Sequence, residues 1–264
     1  MLPLSPNNRQ KEIRRYYAAL YREWGPQHWW PAETQFEVIV GAYLTQNTAW
    51  VNVERALENL RRSKLLSVDG IRRVKLSRLE RLVRPSGYFR QKAARLKGFV
   101  KFLDTRYEGS LQKLFTEPTQ KLRIELLGLN GIGPETADSI LLYAGNHPVF
   151  VVDAYTRRIL ERHELVPEKT SYEEIRELFQ ESLRPIATEL ETTSAEACAP
   201  LEDGIRGAAH PPSAMSTAQR TALVQVYNEM HGLIVGVGKN YCRKSIPACD
   251  ACPLRTFLPA ELSK

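Results

Sequence analysis

The sequence predicts an all-α fold. Apolar residues recur at the three- and four-residue spacing of amphipathic helices, as at Ile13, Tyr16, Tyr17 and Leu20. Single Gly, Ser or Pro residues separate such stretches, as is usual at helix boundaries. No segment alternates between apolar and polar residues for long enough to predict a sheet. The β-branched run at 147–152 fits either a strand or a buried connection between helices, and we favour the connection.

The first half of the chain contains mostly short predicted helices. The first helix covers 11–24 and ends at Gly25-Pro26, and an aromatic loop follows it. Thr34 or Glu33 opens the next helix, whose buried stretch 36–44 is too long and too poor in turn residues for a strand. Further helices are predicted at 49–62, 68–73, 77–83, 89–106, 110–115 and 118–127.

The second half contains longer predicted helices and one break. The helices cover 154–163, 171–187 and 217–238. The break at 188–216 is rich in Pro, Gly, Ala, Ser and Thr and presents no regular apolar face. We therefore predict a flexible insertion there, and it carries Cys198.

The composition is that of a soluble globular protein, with 43% hydrophobic and 25% charged residues. The net charge of +7 favours a polyanionic partner, because Lys and Arg side chains that neutralise phosphates release counterions. No apolar run reaches the ~20 residues needed to cross a bilayer, and residues 1–15 lack the apolar stretch of a signal peptide. We expect a cytoplasmic monomer without a membrane partner.

A glycine-containing turn joins two of the predicted helices. Gly131 and Gly133 allow a tight turn and a close backbone approach, and Pro134 suits the first position of the following helix. The N–H groups at the start of that helix, up to Thr136, form an anion site suited to a DNA phosphate. The alternative is an ordinary corner between two helices.

Asp153 follows the buried run 149–152 and precedes an Arg-rich helix. Asp is frequent at helix N-caps, and a cap role is compatible with a catalytic role.

The hairpin and Asp153 together resemble the helix-hairpin-helix (HhH-GPD) superfamily of DNA glycosylases, the endonuclease III group. The likeness covers most of the chain outside 188–216. The segments 29–31, 44–48, 83–88 and 230–232 are similar to the branch that includes a bacterial 3-methyladenine DNA glycosylase. The resemblance implies two lobes: a six-helix barrel with the hairpin at 34–146, and a second helical lobe formed by 1–33 and 147–264.

The resemblance also implies a mechanism. Bifunctional members carry an attacking lysine in the hairpin, at the position of Glu135 here. A carboxylate forms no Schiff base, so abasic-site lyase activity is doubtful. Asp153 would stabilise the oxocarbenium-like sugar and orient or activate a water. Lys239 is a weak candidate for a substitute nucleophile, since such a lysine is more often a phosphate contact.

An enzyme that excises a base must take it out of the stack into a pocket. Aromatic side chains suit a cationic alkylated purine, through stacking and cation–π contact, although each of them fits the core equally well. Gln46 and Asn47 would read base edges or fill the gap in the duplex, a role inferred from the family. The candidate aromatic walls are Trp29, Trp30 and Trp50, with Tyr43 nearby. The candidate phosphate contacts are Arg84, Arg90, Lys92, Arg157 and Arg158.

Three cysteines near the end of the chain look like metal ligands in a reducing compartment. Cys242, Cys249 and Cys252 have the spacing of the endonuclease III group, where a fourth cysteine completes a 4Fe–4S site. Leu258 occupies that fourth position in the cysteine loop 242–258. Three outcomes stay open: a cluster with an unusual fourth ligand, a cluster completed by Cys198, or no metal. Zinc is a lesser possibility.

The function predicted from these residues is base excision repair of duplex DNA by a monofunctional N-glycosylase, acting on alkylated purines such as 3-methyladenine. The expected location is the cytoplasm, in association with the nucleoid. One alternative is an endonuclease III-like glycosylase and abasic-site lyase for oxidised pyrimidines. Another is a DNA lesion-binding protein without catalysis.

Overall fold

The computed structural model describes residues 5–192 and 210–259, and the regular elements of these residues are helices. The all-α prediction is confirmed. None of the described helices is long and apolar enough to span a membrane. The helices are α1 Pro6–Trp24, α2 Gln35–Thr45, α3 Trp50–Arg62, α4 Val68–Arg73, α5 Leu76–Val83, α6 Phe89–Tyr107, α7 Leu111–Phe115, α8 Thr119–Leu127, α9 Pro134–Ser139, α10 Ala154–Arg162, α11 Tyr172–Thr192 and α12 Ala222–Asn240.

The chain divides into two compact units. The hairpin unit, residues 32–147, contains α2 to α9, a 3₁₀ turn at Arg84–Ser86 and a π-helical turn at Ile140–Ala144. The terminal unit comprises the described residues of 1–31 and 148–264 and contains α1 and α10 to α12.

Helix α2 lies at the centre of the hairpin unit. All its residues from Phe36 to Leu44 are buried, as expected for a helix that is apolar on nearly every side. The charged exception, Glu37, forms an ion pair with Arg61 at 2.5 Å. Thr34 starts the helix, because its hydroxyl accepts a hydrogen bond from the Glu37 N–H at 3.1 Å. Neighbouring helices are amphipathic instead: α3 buries only Val53 and other residues three or four positions apart.

Helix α12 lies at the centre of the terminal unit and packs against α1, α10 and α11. Its residues are buried almost without interruption up to Gly238. A Cβ atom at Gly238 would overlap the Tyr155 ring, so this glycine allows α10 to approach α12 closely. Polar residues inside this apolar helix, such as Glu229 and His231, are therefore buried with it.

Three predicted helix ends differ from the structure by several residues, and the other differences are one or two residues. Helix α1 begins at Pro6 rather than at 11, because the Ser5 hydroxyl caps its first turn. Helix α11 continues past 187 to Thr192 with Pro185 inside it. Helix α12 begins at Ala222 rather than at 217, because Thr221 caps it. Cys198 and the middle of the predicted insertion, 193–209, lie outside the described residues.

Candidate functional site

The predicted hairpin joins α8 to α9 in the hairpin unit. Gly131 has a φ of 80°, in the left-handed region that favours glycine, and an added Cβ would overlap the guanidinium of Arg95. Gly133 is the extended N-cap residue of α9, and Pro134 begins the helix. Gly133, Pro134 and Glu135 are all exposed at this end of the helix.

Side chains from neighbouring helices hold the hairpin in place. The Gln46 amide donates to the Gly131 carbonyl at 2.9 Å and to the Thr136 hydroxyl at 3.0 Å. Its oxygen accepts a hydrogen bond from Arg95 at 2.9 Å. The structure therefore places Gln46, a candidate base reader, as a brace between the end of α2 and the hairpin.

A buried ion pair joins the two helices of the hairpin. Arg123 on α8 donates to both carboxylate oxygens of Asp138 on α9, at 2.6 and 3.1 Å. Asp138 is fully buried and the Arg123 side chain nearly so. A bidentate pair fixes the relative orientation of the two helices as well as neutralising the buried charges.

The other candidates in this unit have different exposures. Asn47 is exposed in the left-handed conformation just after α2. Trp50 is partly exposed at the start of α3, and its indole donates to Glu54 at 2.8 Å. Tyr43 is buried and lines a cavity of about 620 Å³ together with Arg95 and the hairpin residue Asn130.

Lys92 is not a phosphate contact, contrary to expectation. It is 1% exposed, and its ammonium donates to the carbonyls of Leu44 and Ser86 at 2.9 and 2.7 Å. Burial, with a smaller effect of nearby Arg95, lowers the pKa of Lys92 to about 8. Its role is to join the end of α2 to the turn that precedes α6.

Asp153 is the N-cap residue of α10 in the terminal unit. Its Oδ1 accepts hydrogen bonds from the Thr156 N–H at 2.7 Å and from the Thr156 hydroxyl at 2.8 Å. Its Oδ2 lies 3.7 Å from Nε2 of His231, and the aspartate side chain is 12% exposed. The two oxygens of this carboxylate thus have different surroundings.

His231 lies on α12 and is buried against aromatic rings. Its imidazole packs on Trp29 and Phe150, with centroid separations of 6.0 and 6.3 Å. Burial lowers the pKa of His231, and the Asp153 carboxylate opposes this shift. The family resemblance includes this histidine within the segment 230–232, and the sequence predicts no role for it.

The aromatic loop that carries Trp29 and Trp30 packs on the same helix. Both indoles are buried, at 8% and 7% exposure, and they meet edge to face at 5.9 Å. The Lys239 ammonium lies 5.9 Å from the centre of the Trp29 ring. The structure therefore brings together Trp29, His231, Asp153 and Lys239 within the terminal unit.

Glu229 holds the start of this loop. Its Oε2 accepts a hydrogen bond from the Gln27 N–H at 2.6 Å, and its Oε1 accepts one from Gln225 at 2.8 Å. Burial raises the pKa of Glu229 to about 7. Gly232 leaves room for the loop, since an added Cβ would lie 2.9 Å from Gln27 Cβ and 3.2 Å from Trp29 Cβ.

The two arginines after Asp153 point to structural partners. Arg157 is partly exposed and donates to the Thr170 carbonyl at 2.6 Å. Arg158 donates to the Cys242 carbonyl at 2.7 Å and to the Gly238 carbonyl at 3.1 Å. Arg158 therefore links α10 to the cysteine loop.

The three cysteine thiols of that loop line one cavity, to which Leu258 also contributes. Burial raises the pKa of Cys252 to about 11, and the neighbouring thiols of Cys242 and Cys249 act in the same direction. Arg162 donates to the Cys242 sulfur at 3.4 Å.

These ligands do not complete an iron–sulfur site. A 4Fe–4S cluster of the endonuclease III type takes four cysteine thiolates, and the described residues supply three, with Leu258 at the fourth position. Among the described residues, no group of three or more His, Cys, Asp or Glu side chains is arranged to hold a metal ion. The described donor set therefore does not fit a four-thiolate cluster.

Comparison with known proteins identifies the family. The pattern of the HhH-GPD superfamily base excision DNA repair proteins matches residues 40–185. A putative DNA repair glycosylase of Methanocaldococcus jannaschii is 40% identical over 251 residues, which cover 95% of this chain and 97% of that protein. Endonuclease III of Thermotoga maritima is 29% identical over 224 residues, or 83% of this chain and 80% of that protein.

A solved structure agrees with these relatives. The crystal structure of the H. pylori 3-methyladenine DNA glycosylase MagIII, bound to 1,N6-ethenoadenine, aligns with a TM-score of 0.67 and 29% identity. The alignment covers 89% of this chain and 98% of that one. The chain belongs to the HhH-GPD superfamily, and it is a DNA repair glycosylase of this type. The resemblance predicted from the sequence is confirmed.

Proposed function

We propose that this chain is a monofunctional N-glycosylase that releases an alkylated purine, such as 3-methyladenine, from duplex DNA. The observation that carries the proposal is Glu135. It lies exposed in the first turn of α9, where the bifunctional relatives are expected to present an attacking lysine. A carboxylate at this place has no amine with which to form a Schiff base, so the base would leave without strand cleavage.

The aromatic loop supports the choice of an alkylated purine. A purine alkylated at a ring nitrogen carries positive charge, and indole faces attract cations through their π electrons. Trp29 and Trp30 lie in the same unit as Asp153, and His231 contacts both Trp29 and Asp153. Similarity to a glycosylase named for 3-methyladenine points to the same class of lesion.

Asp153 would stabilise the positive charge that develops on the sugar as the base departs. Its Oδ1 is occupied by the two hydrogen bonds from Thr156, which fix the rotation of the carboxylate. We assign the reaction to Oδ2, which can face the sugar or a water. No step of this proposal uses a metal cluster.

The hairpin would bind the duplex through its backbone. Exposed Gly133 and the first turn of α9, at Glu135 and Thr136, offer backbone N–H groups to a phosphate. Pro134 has no N–H to offer and sets the start of the helix, and Gly131 shapes the turn before it. Gln46 stabilises the turn through its hydrogen bond to the Gly131 carbonyl, and Arg95 in turn donates to Gln46. Arg157 is a further candidate contact, although it is also bonded to the Thr170 carbonyl.

Single-turnover assays on duplexes with one defined lesion test the proposal. Base release and strand nicking are scored separately, with 3-methyladenine first and oxidised pyrimidines next. We expect release of the alkylated purine without nicking, and loss of release in Asp153→Asn. Glu168→Gln, the same acid-to-amide change at an exposed position, should retain full release. Nicking in step with release would contradict the proposal.

A glycosylase with abasic-site lyase activity is the second candidate, because one amine does lie in the candidate site. The Lys239 ammonium is placed over the Trp29 ring. Borohydride reduction would trap a Schiff base between this lysine and the sugar. A trapped complex that disappears in Lys239→Gln would favour this function over the monofunctional one.

A binding-only protein would behave differently again. It would bind the lesion duplex equally well as wild type and as Asp153→Asn, and neither form would release a base.

A further inference from the structure

The carboxylate of Asp153 is held firmly on one side only. Thr156 fixes Oδ1 with two hydrogen bonds, and the helix N-cap requires this arrangement. Oδ2 is the oxygen that the proposed reaction needs, and it faces His231 Nε2 at 3.7 Å. A contact with His231 can therefore change the orientation of the oxygen that takes part in the proposed reaction.

His231 is itself held in a fixed orientation. It lies on the central helix α12 and is 4% exposed. The rings of Trp29 and Phe150 pack against it at angles of 60° and 73°. A buried imidazole between two large rings has little rotational freedom, so its ring nitrogens keep fixed directions.

We propose that His231 is a positioning residue for Asp153: its Nε2 orients carboxylate oxygen Oδ2 towards the reacting sugar and its water. The proposal rests on the proposed function, in which Asp153 carries the reaction. The separation of 3.7 Å exceeds a hydrogen bond in the DNA-free protein. Hydrogen bonds of this kind are often long in the free enzyme and shorten when substrate binds.

The chemistry of the pair supports this role. Burial favours the neutral imidazole, which donates one N–H, and a donor at Nε2 would complete the contact with a carboxylate oxygen. Asp153 lies next to this imidazole, and Lys239 and His210 lie next to the Trp29 ring that packs on it. The negative charge of Asp153 favours the protonated form of this imidazole.

His163 gives a matched comparison in the same unit. It is also a buried histidine, but its Nδ1 pairs with the Tyr16 hydroxyl at 2.7 Å. Substitution of His163 therefore reports the cost of losing a buried histidine without disturbing the Asp153 contact.

The kinetic experiment compares His231→Gln with His231→Asn. The longer Gln side chain can place an amide N–H near the position of Nε2, whereas the shorter Asn cannot. Single-turnover rates are measured from pH 5 to 9 with saturating enzyme, and the Kd for the lesion duplex is measured separately. We expect Asn to lower the excision rate about tenfold to a hundredfold, because small misplacements of a reacting group have effects of that size. We expect His231→Gln to recover most of the excision rate. The Kd of both His231 variants for the lesion duplex should change by less than about threefold. His163→Gln should keep the wild-type rate.

Equal losses of excision rate in His231→Gln and His231→Asn, or an effect confined to the Kd, would overturn the positioning role.

A second measurement does not depend on activity. The pKa of His231 is read from its ring nitrogen resonances in the full chain, with His231→Gln to assign them. We expect Asp153→Asn to lower this pKa, because the carboxylate favours the protonated ring. An unchanged pKa would refute the contact.

Absence of base release by the wild type on every lesion would instead refute the proposed function.

Discussion

Glu229→Gln tests whether the loop that carries Trp29 is anchored by a carboxyl group that titrates near neutral pH. Glu229 is 3% exposed and accepts hydrogen bonds from Gln27 and Gln225. Burial raises its pKa from 4.5 to about 7. The amide of Gln keeps an oxygen for the Gln27 N–H and removes the titration.

The size and sign of the effect follow from this pKa. The folded protein binds the Glu229 proton more tightly than the unfolded chain, so the linked stability is complete below pH 4.5 and is lost as the pH rises through 7. At about 1.4 kcal/mol per pKa unit, the loss amounts to about 3 kcal/mol. We therefore expect Glu229→Gln to become more stable relative to wild type by about that amount between pH 4.5 and 8.

Urea unfolding at fixed ionic strength, repeated between pH 4.5 and 8, measures the difference in free energy of unfolding between the two proteins. Glu168→Gln, the same chemical change on the exposed surface, is the control. A difference between Glu229→Gln and wild type that does not vary with pH would refute the reasoning.

Three further changes test other parts of the molecule. Gly131→Ala, at a φ of 80° and against Arg95, should weaken duplex binding and lower the free energy of unfolding by about 1–2 kcal/mol, measured by anisotropy and urea unfolding. Gly232→Ala should displace the aromatic loop through its 2.9 Å approach to Gln27 and reduce single-turnover excision, whereas unchanged excision would argue against this loop as part of the site. Leu258→Cys should raise the iron and sulfide content of anaerobically purified protein above that of wild type, because it adds the fourth thiol to the cavity, and equal contents would refute the assignment of the missing ligand.

Much of the fold followed from periodicity and capping. The bounds of helices α3 and α4 were predicted to within one residue, because the residues that start and end these helices are adjacent in the sequence. The end of α11 was missed for the opposite reason. The prediction ended this helix at 187 because the segment 188–216 is rich in Pro, Gly, Ala, Ser and Thr, yet the helix continues to Thr192.

The side-chain partners were harder to predict than the helices. The positive charge of Lys92 near the hairpin indicated a phosphate contact. Its ammonium instead donates to the carbonyl of Leu44, which is distant in the sequence, and to the carbonyl of Ser86, in the turn before α6. Gln46, the candidate base reader, also stabilises the hairpin through its hydrogen bond to the carbonyl of Gly131, 85 residues away in the chain. Local sequence contains no information about such pairings.

A signal for His231 was nevertheless present. Helix α12 is apolar almost throughout, and Asn228, Glu229 and His231 interrupt it. A polar group inside an apolar helix is buried with it and requires a partner, because leaving it unsatisfied has a large free-energy cost. That reasoning predicts a polar contact for His231, although only the structure identifies Asp153 as the group it faces.

The two roles of Asp153 can be separated because they use different properties of one side chain. The cap needs an acceptor at the Oδ1 position for the Thr156 N–H, and Asn supplies it as well as Asp does. The proposed reaction needs negative charge at Oδ2, and Asn removes it. Asp153→Ala would lose both, so an inactive alanine variant could reflect a weakened α10 as well as a missing charge. Loss of base release in Asp153→Asn, with the free energy of unfolding retained, therefore assigns the effect to the charge that His231 faces.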